Sequence, residues 1–546
     1  MRGAVAVATL LTLAAAPAAA EIRLREVSSA WGLEFRHHHG GSGRRYMAET
    51  VVGGVVVFDY DGDGDPDVLF LDAAPLPGYQ GEAPVTRLYR NEGPGRFRDV
   101  TAGSGIVPAG YGGGAAAGDV DGDGDDDLYV AALGASQLFE NLGDGSFADA
   151  TARSGAGDSL FGVAAAFADA DRDGDLDLYL VNYVDFTPER HRVCTTLGRE
   201  VYCHPDRYEG EPDRYFENAG DGTFAEVTAE AGLATPEPMA GLGVLFEDLT
   251  GDLWPDLFVA NDSDPNFLFV NRGDGTFEEQ GLLAGVAYGD AGRPEAGMGV
   301  DAGDVDGDGR LDVVVTHFEL ETNALYRNAG AGLFVDSRWS ANVAEPSLLD
   351  LAFGVALVDL DLDGDLDLAV ANGHILDNAA ELNENSRYRQ VNRVLENLGG
   401  GRFAPRPGAG MEVVRASRGL AVGDLDGDGD SDLVIGNSND AAEVYENVTA
   451  PAGGWLAVDL APRVSAPRGI GARLELEGPG GLQVRQVRTG GSYQSQSSLT
   501  ARFGLAGADR VEGLGVAWPS GARQRFADLP GDRRLTLSEP PAAGGG

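Results

Sequence analysis

A short ladder of aspartates occurs seven times in this chain, and an apolar stretch follows each copy. Clear copies are Asp59-Tyr-Asp61-Gly-Asp63-Gly-Asp65-Pro-Asp67 and Asp169-Ala-Asp171-Arg-Asp173-Gly-Asp175-Leu-Asp177. The others hold Asp119, Asp121, Asp123, Asp125 and Asp127; Asp304, Asp306, Asp308, Arg310 and Asp312; Asp359, Asp361, Asp363, Asp365 and Asp367; and Asp424, Asp426, Asp428, Asp430 and Asp432. The seventh is worn. It keeps Asp248, Asp252 and Asp256 but has Thr250, Leu253 and Trp254 where the rest carry Asp, Gly, and Asp or Arg. Carboxylates this close repel one another unless a cation sits among them, and hard oxygens at alternate positions around a glycine bend suit Ca²⁺. The ladders start 50 to 79 residues apart, a period that marks a propeller or solenoid.

Counting positions along each ladder, side chains one, three, five and nine are expected to bind, with the backbone carbonyl of residue seven completing the set. A carbonyl ligand explains why Arg310 is tolerated at seven. About six Ca²⁺ sites are expected on this scheme, with the worn loop binding weakly or not at all. An EF-hand shares the first three aspartates but needs a Glu at position twelve and a helix after it. Here position twelve is Phe70, Val130 or Leu180, and the residues around it alternate as a strand. No loop offers a histidine or a base beside an open ligand position, as hydrolytic metal sites do. The metals are therefore read as structural.

The repeat unit is legible in the second copy. Gly113–Gly118 enters the loop, Leu128-Tyr-Val leaves it, Leu138-Phe-Glu-Asn141 forms a third strand, and a Gly-Asp-Gly turn leads to Phe147-Ala-Asp. Such turns between apolar runs signal hairpins, and four short antiparallel strands per unit describe a propeller blade. The third-strand phrase recurs, ending at Asn91, Asn141, Asn218, Asn271, Asn328, Asn397 and Asn447. The last unit stops at Asn447, whereas Leu24-Arg-Glu-Val near the start resembles a fourth strand. The expected fold is all-β: a seven-bladed β-propeller over 21–450, with 21–33 closing the last blade, then a small β-sandwich over 451–540. Residues 1–20 read as an export signal and 541–546 as a disordered tail.

The chain carries a net charge of −47, and its 40 basic residues are all arginine. The acid is concentrated in the repeats, because residues 454–546 hold 11 Arg against 8 acids. That surface disfavours nucleic acid and anionic lipid as partners. No mature segment is apolar enough to span a bilayer, so no membrane insertion is expected. The mild positive balance of the tail beside an acidic propeller suggests that the two dock.

The ladders resemble the FG-GAP (VCBS) repeats of integrin α-subunit propellers, and Phe161-Gly-Val and Phe353-Gly-Val keep the Phe-Gly opening. A closer resemblance is to the cartilage acidic protein family and its bacterial relatives, in which such a propeller precedes an ASPIC/UnbV domain. It is carried by Tyr46-Met-Ala-Glu49, Val201-Tyr-Cys-His-Pro205 and Asn372-Gly-His374. In the tail it is carried by Gly469-Ile-Gly-Ala-Arg473, Gly491-Ser-Tyr-Gln-Ser495, Phe503-Gly-Leu505 and Trp518-Pro-Ser-Gly521. The resemblance implies a secreted calcium-binding protein of adhesion or matrix type, with no catalytic residue to carry over.

In an exported chain Cys194 and Cys203 read as a local disulfide; a zinc site with His191 and His204 matches no closed spacing. His37-His38-His39 reads as a solvated loop at the ring's mouth. His317 and His374 each come after a second strand and could share a rim. The insertions Tyr183–Tyr215 and Gly373–Asn392 are the first places to seek a ligand, because extended loops on a rigid scaffold carry binding. The favoured function is a module that binds an extracellular protein or glycan. A calcium-dependent polysaccharide lyase is the alternative, disfavoured because no His-Arg cluster recurs at blade spacing.

Overall fold

Each aspartate loop joins the first two strands of a four-stranded antiparallel sheet. The structure is a computed structural model that describes residues 21–450, 454–478 and 480–541. The expected export signal lies outside the described residues, as do residues 542–546 of the expected tail. The first strands of the seven loop-bearing sheets, numbered I to VII, are Val55–Phe58, Tyr111–Gly118, Gly162–Ala168, Gly241–Glu247, Val300–Gly303, Ala352–Val358 and Ser417–Gly423. Each packs beside the first strand of the next sheet, and Ser417–Gly423 returns to Val55–Phe58, so the series closes as propeller blades do.

The fourth strand of sheet VII comes from the other end of the chain. Leu24–Glu26 pairs antiparallel with Glu443–Asn447, Leu24 opposite Asn447. A helical turn, Ser28–Trp31, comes next and stops at Gly32 in the left-handed region (φ 84°). The same turn succeeds strand four in sheets I, II and IV. A side chain at Gly32 would sit 2.8 Å from the carbonyl oxygen of Phe97.

The recurring asparagine latches neighbouring sheets together. Asn141 Nδ2 donates to the Asp126 carbonyl in its own sheet (3.1 Å) and to the Tyr60 carbonyl in sheet I (2.8 Å), and Oδ1 accepts from Gly143 N–H. The cross-sheet bond recurs at Asn218, Asn271, Asn328, Asn397 and Asn447, each reaching one sheet back. Asn91 reaches Leu425 of sheet VII at 3.0 Å and completes the circle. These amides are buried and nearly saturated, as side chains excluded from water require.

The C-terminal segment folds as two sheets. One holds Trp455–Ala461, Ala501–Gly504 and Arg533–Ser538; the other holds Arg473–Gly478, Gly481–Gln486, Arg510–Ala517 and Arg523–Pro530. Leu456, Val458, Leu474, Leu476, Phe503, Leu514 and Trp518 form a core between them that is continuous with side chains of sheets II and III.

Between these two sheets the chain leaves the sandwich and enters the ring. Residues 489–498 hydrogen-bond to the first strand of every one of the seven sheets. Gln496 exchanges backbone bonds with Val55 and Val57 and clasps Ala117 N–H and C=O through its side-chain amide. Thr489 Oγ1 does the same with Phe167 at 2.7 Å. Gly491 N–H donates to Val244, Ser492 pairs with Val300, and Ser492 Oγ accepts from Val355 N–H. Ser497 and Ser498 complete the set at Val422. Tyr493 at the tip is fully buried, its ring edge-on to Phe353 at 4.8 Å.

Candidate metal centres

Backbone amides hold each aspartate loop open before any cation is considered. In the first loop Asp67 Oδ2 accepts Tyr60 N–H and Oδ1 accepts Asn91 N–H, Asp59 Oδ2 accepts Gly64 N–H, and Asp63 Oδ1 accepts Asp65 N–H. The bonds to the ninth-position aspartate repeat at Asp127, Asp177, Asp256, Asp312, Asp367 and Asp432. That aspartate is thus a hub joining loop and latch as well as a candidate ligand.

The remaining oxygens converge. Ligand atoms of Asp59, Asp61 and Asp67 lie within 4.8 Å of one another, as do those of Asp119, Asp121 and Asp127. The same holds for Asp169, Asp171 and Asp173; for Asp304, Asp306 and Asp308; and for Asp359, Asp361 and Asp363. Positions one and three are common to all five groups, while the third member is position nine in the first two and position five in the rest. In the loop of sheet VII the buried oxygen without a partner is at position seven, Asp430 Oδ1, and that carboxyl is pushed up to about 10 by burial, then by Asp428 and Asp432.

The donor set fits a hard divalent ion. Asp59 Oδ1, Asp61 Oδ1, Asp306 Oδ1, Asp359 Oδ1 and Asp361 Oδ2 are buried carboxylate oxygens with no hydrogen-bond partner, a costly condition that coordination would relieve. Burial also pushes Asp67, Asp127 and Asp177 up to about 8 and Asp119 to about 6. For Asp361, also about 8, burial comes first and the charges of Asp363 and Asp359 second.

The worn loop is held differently. Arg172 reaches across from the third loop, donates to the Leu253 carbonyl and stacks on Trp254 at 4.1 Å. Leu253 adopts φ 74° where glycine stands in the other loops, a conformation strained for a branched side chain. Thr250 Oγ1 is buried without a partner. The side chain of Arg310 folds back onto Asp308 and donates from Nε to the Asn328 carbonyl at 2.8 Å.

The C-terminal sandwich covers this loop face. Arg468 pairs with Asp126 at 3.0 Å, Arg473 donates to the Gly309 carbonyl at 2.5 Å, and Arg534 donates to that of Gly64. Gly504 N–H donates to Asp359 at 3.1 Å, and Asp248 N–H to Gln486. Arg488, deep between sheets IV and V, pairs with Glu247 and Asp301. The docking expected from charge is therefore present, although backbone pairing inside the ring accompanies it.

The opposite face is closed by the two insertions. Cys194 and Cys203 form the disulfide of a hairpin, Cys194–Thr196 with Arg199–Val201. Tyr202 Oη donates to Glu49 at 2.7 Å, Asn378 Nδ2 donates to the Glu200 carbonyl, and Arg199 pairs with Glu381 at 3.3 Å. Beneath them Arg418 is buried, donating to the carbonyls of Thr50, Gly373, Ser417 and His374 and lying over Phe353. The insertions therefore interlock rather than stand free. His37 is not solvated: it is 1% exposed, and its Nδ1 accepts Asn439 N–H. His38 packs on Asp72, and His39 Nδ1 accepts Gly41 N–H. His317 and His374 occupy adjoining sheets but face different carboxylates, Glu295 at 3.8 Å and Glu319 at 3.7 Å. His317 is pushed down to about 3 by burial and Arg338.

Loops of this geometry on repeated four-stranded sheets, with a docked sandwich after them, define a protein of FG-GAP repeats with an ASPIC/UnbV domain. The FG-GAP-like repeat family matches residues 59–130, 119–180, 248–315 and 304–370, the FG-GAP repeat 417–447, and ASPIC and UnbV 463–544. The chain is similar to cartilage acidic protein 1 of Mus musculus and of Homo sapiens, 28% identical to each over 322 residues, or 57% of this chain. That match spans 47% and 46% of those proteins, so the chain aligns with about half their length. Among solved structures it is similar to an Agrocybe aegerita lectin that recognises non-reducing terminal N-acetylglucosamine (16% identity, 73% of this chain and 90% of that one, TM-score 0.38). It is also similar to BBS1N in its complex with ARL6DN (11% identity, 74% and 96%, TM-score 0.40). Among the described residues no helix is long and apolar enough to cross a membrane.

Proposed function

We propose that this chain is an exported, calcium-held binding module that presents a rigid ring to an extracellular protein or glycan. The observation that carries the calcium reading is the set of buried, unpartnered aspartate oxygens pointing into loops already shaped by backbone amides. Side chains at positions one, three, five and nine, with the carbonyl of residue seven, would hold the ion. When bound, the ion supplies positive charge to carboxylates that burial has made costly to ionise. The protein's own part is geometric: the N–H groups of positions two, six and seven and of the latch asparagine fix the carboxylates.

The sandwich occupies the loop face, so the binding surface of the module is assigned to the opposite one. There the disulfide hairpin exposes Val193 and Leu197, and sheet V exposes Leu320. Extended loops held on a rigid scaffold are where partner contact concentrates. The test is a binding screen of glycans and surface proteins with and without EDTA, paired with a lyase assay on uronic polysaccharides. Calcium-dependent capture that is lost on Leu197→Asp supports the reading. Sustained release of unsaturated sugar refutes it.

A further inference from the structure

The residue before each latch asparagine varies in charge among the sheets, and in sheets I and V it reaches the metal loop of its own sheet. It is Arg90, Glu140, Glu217, Val270, Arg327, Glu396 and Glu446 in sheets I to VII. Arg90 Nε lies 2.9 Å from Asp61 Oδ2, with Nη2 3.4 Å from Asp63. Arg327 Nη1 lies 3.6 Å from Asp306 Oδ2. In both loops the other oxygen of the position-three aspartate, Oδ1, stays buried and unpartnered. The arginine thus takes the outer oxygen and leaves the inner one for a cation. Elsewhere a carboxylate holds the same place in the strand: Glu140, Glu217, Glu396 and Glu446 pair in register with strand four as Arg90 and Arg327 do.

We propose that this position sorts the loops into two affinity classes for a divalent cation, Arg90 and Arg327 weakening the sites of sheets I and V relative to those of II, III, VI and VII. The inference rests on the calcium reading above and adds which loops fill last. A unit positive charge about 6 Å from a divalent ion opposes it by roughly tenfold in affinity even at the dielectric of water, and more where water is excluded. Other charges modulate the glutamates. Glu140 is met by Arg153 in the helical turn after strand four, Glu396 by Arg406 just past strand four and Glu446 by Arg25 on it. Glu217 meets no arginine among the described residues, and Arg172 of its own loop, though its charge reaches Asp169, commits its guanidinium to the Leu253 carbonyl. The sandwich arginines do not create the division, since they reach loops of both classes: Arg468 pairs with Asp126 of sheet II, Arg473 donates to Gly309 of sheet V, and Arg502 lies 3.8 Å from Asp424 of sheet VII. The site of sheet III is the tightest on these grounds.

The test is a calcium titration of the metal-stripped full chain in competition with a chromophoric chelator. Two classes are expected, the weaker holding two ions. Arg90→Gln with Arg327→Gln should tighten that class about tenfold without changing the ion count, whereas the Lys pair should leave it in place. Glu217→Gln, at an exposed side chain, should loosen the tightest site by a similar factor. A single class in the wild type, or a weak class unmoved in the Gln pair with an unchanged circular dichroism spectrum, overturns the proposal and leaves calcium binding standing. An unmoved tight site in Glu217→Gln overturns it too. No calcium uptake at all sinks the calcium reading itself, and this inference with it.

Discussion

Replacing Asn91 with leucine tests the latch that closes the ring. The side chain is 3% exposed; its Nδ2 satisfies the Pro66 carbonyl at 3.2 Å and the Leu425 carbonyl at 3.0 Å, and its Oδ1 accepts Gly93 N–H. Leucine has similar bulk and no polar atom. Two carbonyls would lose their donor, at about 1–3 kcal/mol each, while Gly93 N–H, nearer the surface, can turn to water at a smaller cost. The expected loss is about 3–5 kcal/mol, a large share of the net stability of a folded domain. Urea unfolding monitored by tryptophan fluorescence at saturating calcium measures it, because Trp31 packs against Phe97 in the same sheet. Arg87→Gln, at an exposed side chain of the same strand, serves as a neighbouring control that leaves the latch intact. A loss below about 1 kcal/mol would mean that both carbonyls find other donors, and that the asparagine ring is not what holds sheet I to sheet VII.

Other expectations rest on the same contacts. Asp171→Ala should remove one calcium ion and lower the melting temperature, whereas Asp252→Ala in the worn loop should do neither; equal effects would remove the distinction between the loops. Arg488→Met leaves Glu247 and Asp301 buried without their cation and should destabilise the chain by about 3–5 kcal/mol; a neutral result in thermal melting would show water entering the ring there. Glu539 accepts N–H bonds from Arg463, Val464 and Ser465 and hydroxyl bonds from Ser465 and Ser520, which hold its carboxyl down to about 2. A depressed carboxyl stabilises above its unfolded value near 4.3 and loses that stabilisation as pH falls toward 2. Glu539→Gln should therefore cost about 2 kcal/mol at pH 7, with the shift discounted for screening at the sandwich edge, and much less at pH 2.5; a pH-independent difference between the two proteins refutes the assignment. Reducing the disulfide opens a short loop worth about 2–3 kcal/mol of closure entropy, so proteolysis should cut the 194–203 hairpin first while the sheets persist.

The aspartate ladders and the asparagine phrase were legible because both repeat in one register and are local in sequence. What the asparagine does was not, since its partners are backbone carbonyls one sheet away and carry no side-chain signature. The same holds for Gly491-Ser-Tyr-Gln-Ser495. As a string it is one phrase of the family resemblance, yet it threads the ring and bonds to main-chain atoms of strands as much as 440 residues away. Ser492 and Gln494 even adopt positive φ there, which no propensity argument anticipates. Composition places histidines in a polar loop, but His37 is buried because Asn439 and Asp440 of sheet VII supply its partners. The long insertions were visible as departures from the repeat; that they grip each other through Asn378 on Glu200 and Arg199 on Glu381 depends on the order of sheets around a circle.

Leu24 meets its strand partner at Asn447, and the channel is filled only when residues 489–498 arrive. A ribosome making this chain releases the opening strand long before its neighbour exists, and an almost complete ring before anything occupies its hollow axis. Sheets I to VI can form in sequence from near contacts, but the circle seals late, and until then two unpaired strand edges face solvent. Truncation from either end should accordingly harm the chain out of proportion to the residues removed. The yield of folded protein from shortened versions, rather than their residual binding, is where that vulnerability would surface first.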